Sequence, residues 1–481
     1  MFNKVNTPTN PTTVWSPTSR LQKKMLTMES SFSKQPSSEY GEKSLDMSDC
    51  IDLALKNDFT VRQAWQTAKQ AEAEAWQSRH QLYPDVNVTM GFNASKEIMH
   101  THTPPDEDST GDKEKGVDQH INFGPGLEAT YLILDAGGRS ASIKATLANL
   151  YQQNLNFNQT IQELLLNVER AYFNYCALIE TTSTYEENVL ETKNTLSIIE
   201  QRCDAGLAAK LDVHQARARL EDEQYNLAQS QGDMQEARAQ LMQVMGLPAY
   251  YAEIKVTLPP EKIKLDIGKD NVVTLIDESL AQRQDIAALK ASVRQKEYAV
   301  KVTDSKLWPT INAEVVSNYN KFDLYKDPVS PIITRFHSDF NSSFLLQINW
   351  DIFDGYNNYY GMIAAKKDLE AEREKLKQAE INAIAGVWGK YYIYEAATKS
   401  LAHNIRNLAE NEKVYAMTLK GYRAGALNVF DLVYTQRDLF ASKLMYIDNR
   451  NKCYTSLAEL VYEIGAFSIN PEINRKIHGV K

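Results

Sequence analysis

Asp212 and Asp431 each stand a few residues beyond a glycine, in the segments that start at Gly206 and Gly425. A carboxylate placed after such a turn caps the helix that returns from it, or stays solvated as a local negative charge. His100 and His102 lie two apart with Asp106, Glu107 and Asp108 nearby, a donor set able to hold a metal weakly. A solvated loop is the plainer reading, so no metal and no cofactor is expected there. The motifs of enzymes are missing: there is no GxxxxGK[ST], no HExxH, no GxSxG and no glycine-rich dinucleotide turn after a strand. Cys50, Cys176, Cys203 and Cys453 show no paired spacing and read as free thiols or small buried residues. No catalytic residue is expected.

The same residue types recur at a fixed distance. Asp135, Ala145, Leu150, Val168, Tyr172, Tyr175, Gly206, Asp212 and Gly246 return as Asp354, Ala364, Leu369, Val387, Tyr391, Tyr394, Gly425, Asp431 and Gly465, at a constant offset of about 219 residues. An upstream block, Ile51-Asp52, Leu55 and Leu82-Tyr83-Pro84, returns as Ile276-Asp277, Leu280 and Leu307-Trp308-Pro309 with an offset about six larger. The chain is therefore one unit used twice, with a small insertion between Pro84 and Asp135.

Within each unit the periodicity changes twice. Ile51, Leu55, Val61, Trp65, Ala68, Ala71 and Ala75 fit one amphipathic helix over residues 48–80, stopped by Pro84. Val86, Val88, Met90, Phe92 and Ala94 then alternate with polar residues as a strand does, and the stretch from Ile121 to Ile133 alternates again. Between them, Lys96 to Gln119 reads as a loop. The second unit repeats the plan with Ile311, Ala313, Val315 and Tyr319, a loop near Asn320 to Asn341, and a strand from Phe344 to Ile352. The strand-to-helix turns fall at Asp135, Gly137 and Gly138 and at Asp354 and Gly355. Past them, residues 139–202 hold no proline or glycine, and about 64 helical residues make a rod of roughly 95 Å. Glycine turns at Gly206 and Gly425 send returning helices to Gly246 and Gly465.

Four strands cannot close a barrel, and an open sheet leaves bare edges. One face is apolar and the other polar, and several chains sharing one barrel resolve both difficulties. The 481 residues carry a net charge of −9 without a basic patch, which argues against nucleic acid as a partner. No window reaches the length of an apolar membrane-spanning helix, which leaves β-barrels open. Residues 1–43 are rich in Thr, Pro, Ser and Asn and read as a disordered or extended tail with no visible signal peptide. The expected units are residues 44–248 and 271–466, with strand pairs at 84–135 and 309–354. A linker at 249–270 joins them within a belt around the middle, and 467–481 form a tail.

The segments Asp135-Ala136-Gly137-Gly138-Arg139, Ala205-Gly206-Leu207 with Leu211-Asp212-Val213, Ala424-Gly425 with Phe430-Asp431-Leu432, and the helix end at Leu241 to Gly246 occur in order and in duplicate. Over roughly residues 44 to 466 the chain resembles the TolC-type outer-membrane efflux proteins. The resemblance implies a mainly α fold with a small β part: long antiparallel helical hairpins and two β-hairpins that trimerise into a 12-stranded barrel and a helical periplasmic tunnel. It implies a passive export channel for small molecules or polypeptides, in a tripartite efflux or type I secretion system. Its partners would be two further copies, outer-membrane lipid, a periplasmic adaptor (membrane fusion) protein, and an inner-membrane pump or ABC transporter. By the same resemblance Asp431, Asp212 and Tyr422 belong to a periplasmic gate, where three copies of Asp431 form a carboxylate ring, and Tyr434 reads as an aromatic constriction beside it. Arg202, Ala205, Gly206, Leu207, Ala424, Gly425 and Ala426 would form the tips that dock the adaptor. Known members carry a second Asp three residues on and an Arg shortly before. This chain has Tyr434 and Leu427-Asn428 there, which puts a double ring and an arginine clamp in doubt. The alternative is a helical scaffold without a pore, separable by whether the protein needs detergent.

Overall fold

A computed structural model of the protein describes residues 44–101, 114–250, 255–259, 271–320 and 339–466. The expected tails at 1–43 and 467–481, and most of the 249–270 linker, lie outside them. So do His102, Asp106, Glu107 and Asp108.

The first unit opens with two helices rather than the one expected: α1 (Met47–Asn57) and α2 (Phe59–Gln77). The break is Asp58, which ends α1 in an extended conformation and caps α2, its carboxylate accepting the Val61 N–H at 2.7 Å. An aspartate that bonds the backbone locally competes with the helix interior, so periodicity carries through a break that the capping residue enforces. A short 3₁₀ turn at Ser78–Leu82 leads into β1 (Asp85–Thr101), followed by β2 (Glu114–Leu134), α3 (Gly138–Asp204) and α4 (Lys210–Val244). The second unit has α5 (Val272–Gln282), α6 (Gln284–Ser305), β3 (Thr310–Asn320), β4 (Asp339–Asn349), α7 (Asn357–Arg423) and α8 (Val429–Ile464). Both α3 and α7 run for 67 residues, about 100 Å at 1.5 Å per residue.

The strands correct two boundaries. The first hairpin runs on to Thr101↔Glu114, so half of the segment expected as a loop from Lys96 to Gln119 is ladder and the other half lies outside the described residues. The last strand stops at Asn349, short of Ile352, where the chain bends toward α7. A polar composition in paired strands resembles that of a loop, which hid the first; alternation continuing past the last ladder bond hid the second.

The four described strands pair antiparallel in the order β1-β2-β3-β4, so the outer edges of β1 and β4 have no partner among the described residues. Register assigns each residue to a face. Val86, Val88, Met90 and Phe92 share one with Phe123, Leu127, Ala129, Tyr131, Val315, Phe344, Leu346 and Ile348. Among the described side chains this face carries no charge, and Val88, Met90, Phe92 and Phe344 are each about 70% exposed or more within the single chain. The opposite face presents Asp85, Asn87, Thr89, Glu128, Thr130, Asn312, Glu314, Asn318 and Gln347. No helix of the described residues is long and apolar enough to cross a membrane.

The main core lies where α1, α3, α4 and α8 meet, around Cys50, Leu164, Leu165, Val168, Cys176, Leu241, Met242, Leu457 and Leu460. There the linker is described for five residues: Val256 bridges Leu45 in parallel, and Tyr172 donates to the carbonyl of Thr257. The two units close against this level in matching ways. Gly246 and Gly465, both at positive φ, sit against the backbone of Asn57 and of Arg283, so each return helix docks on the short helix that opens its own unit.

Candidate functional site

At the far ends of the rods, both turns are built alike. Gly206 (φ 73°) and Gly425 (φ 76°) take the left-handed conformation that a glycine reaches without steric cost. Leu207 N–H returns to the Arg202 carbonyl at 2.7 Å, and Ala426 N–H to the Gly421 carbonyl at 2.9 Å. Each bond satisfies a carbonyl that the helix end would leave orphaned. Ala205, Gly206, Leu207, Ala424, Gly425 and Ala426 are all exposed on these turns.

Asp212 and Asp431 follow at the third position of their helices. The Asp212 carboxylate accepts the Ala209 N–H at 3.1 Å. Asp431 accepts the Asn428 N–H at 3.3 Å while Asn428 Oδ1 accepts the Asp431 N–H at 2.9 Å, a reciprocal capping box. Ala209 has no side chain to reciprocate, so the first copy has half the device. In each case the bond engages Oδ2; Asp431 is exposed and Asp212 half-buried. Tyr434, 58% exposed, lies under the Arg437 guanidinium, 4.6 Å from its ring centroid.

Tyr422, by contrast, is buried at 2% exposure among Ile199, Ala216 and Leu432, a small second core contributed by both hairpins. Arg202 crosses from the first hairpin to cover it. Its Nη1 donates to the Tyr422 carbonyl at 2.9 Å and its guanidinium carbon stands 4.7 Å from the Tyr422 ring centroid. Burial raises the Tyr422 phenol above its ordinary range; the Arg202 charge opposes that and Asp212 adds to it. So Arg202, expected only as a docking residue, ties the two tips together.

A polar seam continues from this point between the hairpins. Tyr415 donates to Glu191, and the buried pair of Thr192 and Thr195 brackets Gln436 at 3.2 and 3.4 Å. Lys443 meets Glu187 at 3.1 Å, and Arg450 pairs with Glu180. Burial and the Glu191 carboxylate both push the Tyr415 phenol upward. None of these pairs was singled out from the sequence. A signal existed: each α8 member lies about as far in sequence from Gly425 as its α3 partner lies from Gly206.

At the opposite end, the turns into the rods hold Asp135 and Asp354. Asp135 accepts the Arg139 N–H and faces the Arg139 guanidinium at 3.6 Å, while Asp354 accepts the Asn358 N–H at 2.8 Å. Arg139 also donates to the carbonyls of Gln81 and Ile133 at 3.2 and 3.0 Å, which fastens the helix start to the strand end. The left-handed pair is Ala136 and Gly137 in the first copy and Gly355 and Tyr356 in the second. Gly138 is required for space instead, because a Cβ there would strike Ser305 and Asp135.

Among the described residues, no group of three or more His, Cys, Asp or Glu is placed to hold a metal. Burial pushes the thiols of Cys50 and Cys176 up to about 12 and that of Cys453 to about 11, which suppresses the reactive thiolate.

A family model described as "Outer membrane efflux protein" matches residues 50–247 and again 275–466. The chain is 25% identical over 405 residues to protein CyaE of Bordetella pertussis, covering 84% of this chain and 80% of that one. To the pyoverdine export outer membrane protein OpmQ of Pseudomonas aeruginosa it is 23% identical over 406 residues, covering 83% and 80%. Among solved structures it is similar to the outer-membrane channel OprN, with TM-score 0.70, 18% identity and coverage of 87% and 89%. The transmembrane channel CusC gives TM-score 0.71 at 18% identity, with 90% and 96% covered.

Proposed function

The chain belongs to the outer membrane efflux protein family, a family of outer-membrane channel proteins and not of enzymes, and from that premise we propose that three copies form one export duct. The observation that carries this reading is the four-stranded sheet, whose uncharged face is exposed and whose outer edges have no partner among the described residues. An unpaired edge is a liability unless another chain covers it, and β4 of one copy against β1 of the next removes every edge once the ring closes. Twelve strands then face lipid with the uncharged surface and water with Asp85, Glu128 and Glu314. The rods continue the lumen into the periplasm, and their tips are its entrance.

The tips work as a gate held shut by few contacts. Asp431, exposed at the start of its helix, supplies a ring of three carboxylates whose mutual repulsion opposes closure unless cations screen it. Asp212 adds a second, half-buried negative position. Tyr422 is the buried element of the latch, Arg202 its clasp, and Tyr434 an exposed aromatic near the constriction. An adaptor protein docks on the exposed turns at Ala205 to Leu207 and Ala424 to Ala426, and an inner-membrane pump or ABC transporter supplies the energy the channel lacks. Relatives named for pyoverdine export and for cation efflux favour small-molecule cargo.

Detergent-purified protein should have the mass of three chains and should precipitate when detergent is withdrawn; a soluble monomer or dimer without detergent would support the poreless scaffold instead. For the gate, Asp431→Ala should weaken single-channel block by divalent cations by at least several-fold. Unchanged block would remove Asp431 from the constriction.

A further inference from the structure

The polar seam between the two hairpins does not close completely. A cavity of about 350 Å³ remains in it, walled by α3 on one side and by α7 and α8 on the other. That volume suits a small organic molecule. Its deeper polar side chains are committed within the chain: Gln436 is held at both ends by Thr192 and Thr195, Thr184 donates to the Glu180 carbonyl at 2.8 Å, and Tyr415 donates to Glu191. Asn188 is the exception. It lines the cavity, is only 6% exposed, and its Nδ2 is buried with no acceptor among the described residues. A buried donor left without a partner weakens the folded state, and such a group points to a partner that the chain itself does not supply.

The rest of the lining says what that partner must be. Leu190, Leu439, Phe440 and Tyr415 offer apolar and aromatic surface. Glu187 and Glu191 bring two carboxylates against the single ammonium of Lys443, which meets Glu187 at 3.1 Å. The lining is therefore net negative, which favours a cation and repels an anion. Leu190 and Glu187, 62% and 66% exposed, mark the mouth. Leu190 lies about five helical turns beyond Tyr172 on α3, so the two project to the same side, and Tyr172 donates to the linker at Thr257. The cavity thus opens on the side where the linker packs, which a clear lumen requires to be the outside of the proposed duct.

We infer that this cavity is a binding site for a small amphipathic cation that carries an acceptor oxygen. The oxygen takes the Asn188 Nδ2 hydrogen bond, the cationic centre sits against Glu187 and Glu191, and the apolar body lies on Leu190, Leu439 and Phe440. Such a molecule bridges α3 of the first hairpin to α7 and α8 of the second. The site exists only while the hairpins stand together as they do here, so its occupant binds this arrangement better than one in which they part, and shifts the population toward closed tips. Binding stands without the trimeric-duct reading; the effect on closure rests on it.

Procaine, an aryl ester with a tertiary ammonium group, supplies all three features, whereas benzocaine lacks the ammonium and 4-aminobenzoate is an anion. Calorimetric titration of the detergent-purified full chain should show procaine binding at least several-fold more tightly than benzocaine, with 4-aminobenzoate failing to compete. Asn188→Leu should weaken procaine several-fold and raise the thermal midpoint of the ligand-free protein, because the orphan donor is gone. Glu187→Gln, a change at the exposed mouth, should weaken procaine as well and keeps the test open if Asn188→Leu does not fold. No procaine binding, equal affinity for procaine and benzocaine, or affinity unchanged in both variants overturns the site. In bilayers, procaine on the tip side should lengthen closures of the parent channel and not of Asn188→Leu. Closures that persist in Asn188→Leu and vanish in Asp431→Ala are block of the lumen and overturn the effect on closure. A protein that binds procaine as stated but neither trimerises nor conducts overturns the duct and leaves the site standing.

Discussion

Arg202 lies where the second unit has Gly421, and that single difference puts a guanidinium between the two hairpin tips. A charge-assisted hydrogen bond contributes about 1.5–3 kcal/mol, and every 1.4 kcal/mol is tenfold in an equilibrium. Arg202→Ala should therefore raise the open-to-closed ratio of single channels about tenfold or more. Arg202→Lys should restore only part, because an ammonium stacks on Tyr422 less well than a planar guanidinium. Equal open probability in all three proteins would remove Arg202 from the latch. Farther up the rods, Glu459 sits between Arg170 and Lys390, the latter at 2.6 Å. Burial works against its charge, but the two cations win and hold its carboxyl below the ordinary value. The folded chain thus binds this proton less readily than the unfolded one, so the contribution is present above the unfolded pKa of about 4.3 and lost as pH falls through the folded value. Glu459→Gln should lower the thermal midpoint at pH 7 and leave it nearly unchanged near pH 3; an equal drop at both would mean that charge plays no part. The acidic residues of the tips were legible from the sequence because the duplication marks them twice. Arg202 as a clasp was not: it is where the copies differ, and a comparison of repeats highlights only where they agree.

The four glycines that end helices are alike in conformation and unlike in surroundings. At Gly425 only the left-handed φ resists substitution, since a Cβ would meet open space. At Gly465 the same φ is joined by Arg283 backbone atoms 3.1 Å from the Cβ position. A left-handed L-residue costs roughly 1–2 kcal/mol, so Gly425→Ala should lose about that much and Gly465→Ala clearly more. Thermal midpoints of the two variants measure the difference, and a larger loss for Gly425→Ala would refute the assignment of Gly465 to helix docking. The rods themselves were legible almost to the residue, because uninterrupted helical periodicity ending in glycine has one reading. The strand ends were less so. Lys96 to Gln119 looks like a loop by composition, yet half of it pairs regularly, because backbone ladder bonds do not depend on apolar side chains. The break at Asp58 was missed for the opposite reason: apolar spacing runs through it, and one capping carboxylate decides the matter.

At the scale of the whole molecule, one chain carries half-solutions that only symmetry completes. Among the described residues its sheet has two edges without a partner, and its uncharged strand face is exposed. The duplication already places two copies of one hairpin side by side, and three chains extend that arrangement to six. Charge follows the same plan, with Asp85, Glu128 and Glu314 on the wet face of the strands and Asp212 and Asp431 at the tips. A duct lined this way should favour cations along its length, most strongly at low ionic strength where screening is weak. The measurement that bears most directly on this account is planar-bilayer conductance of the detergent-purified protein, with reversal potentials read across a salt gradient. Discrete channels with a cation preference that grows as salt is lowered are the expected result. Purified trimers that insert but pass no current, or channels that favour anions, would contradict it.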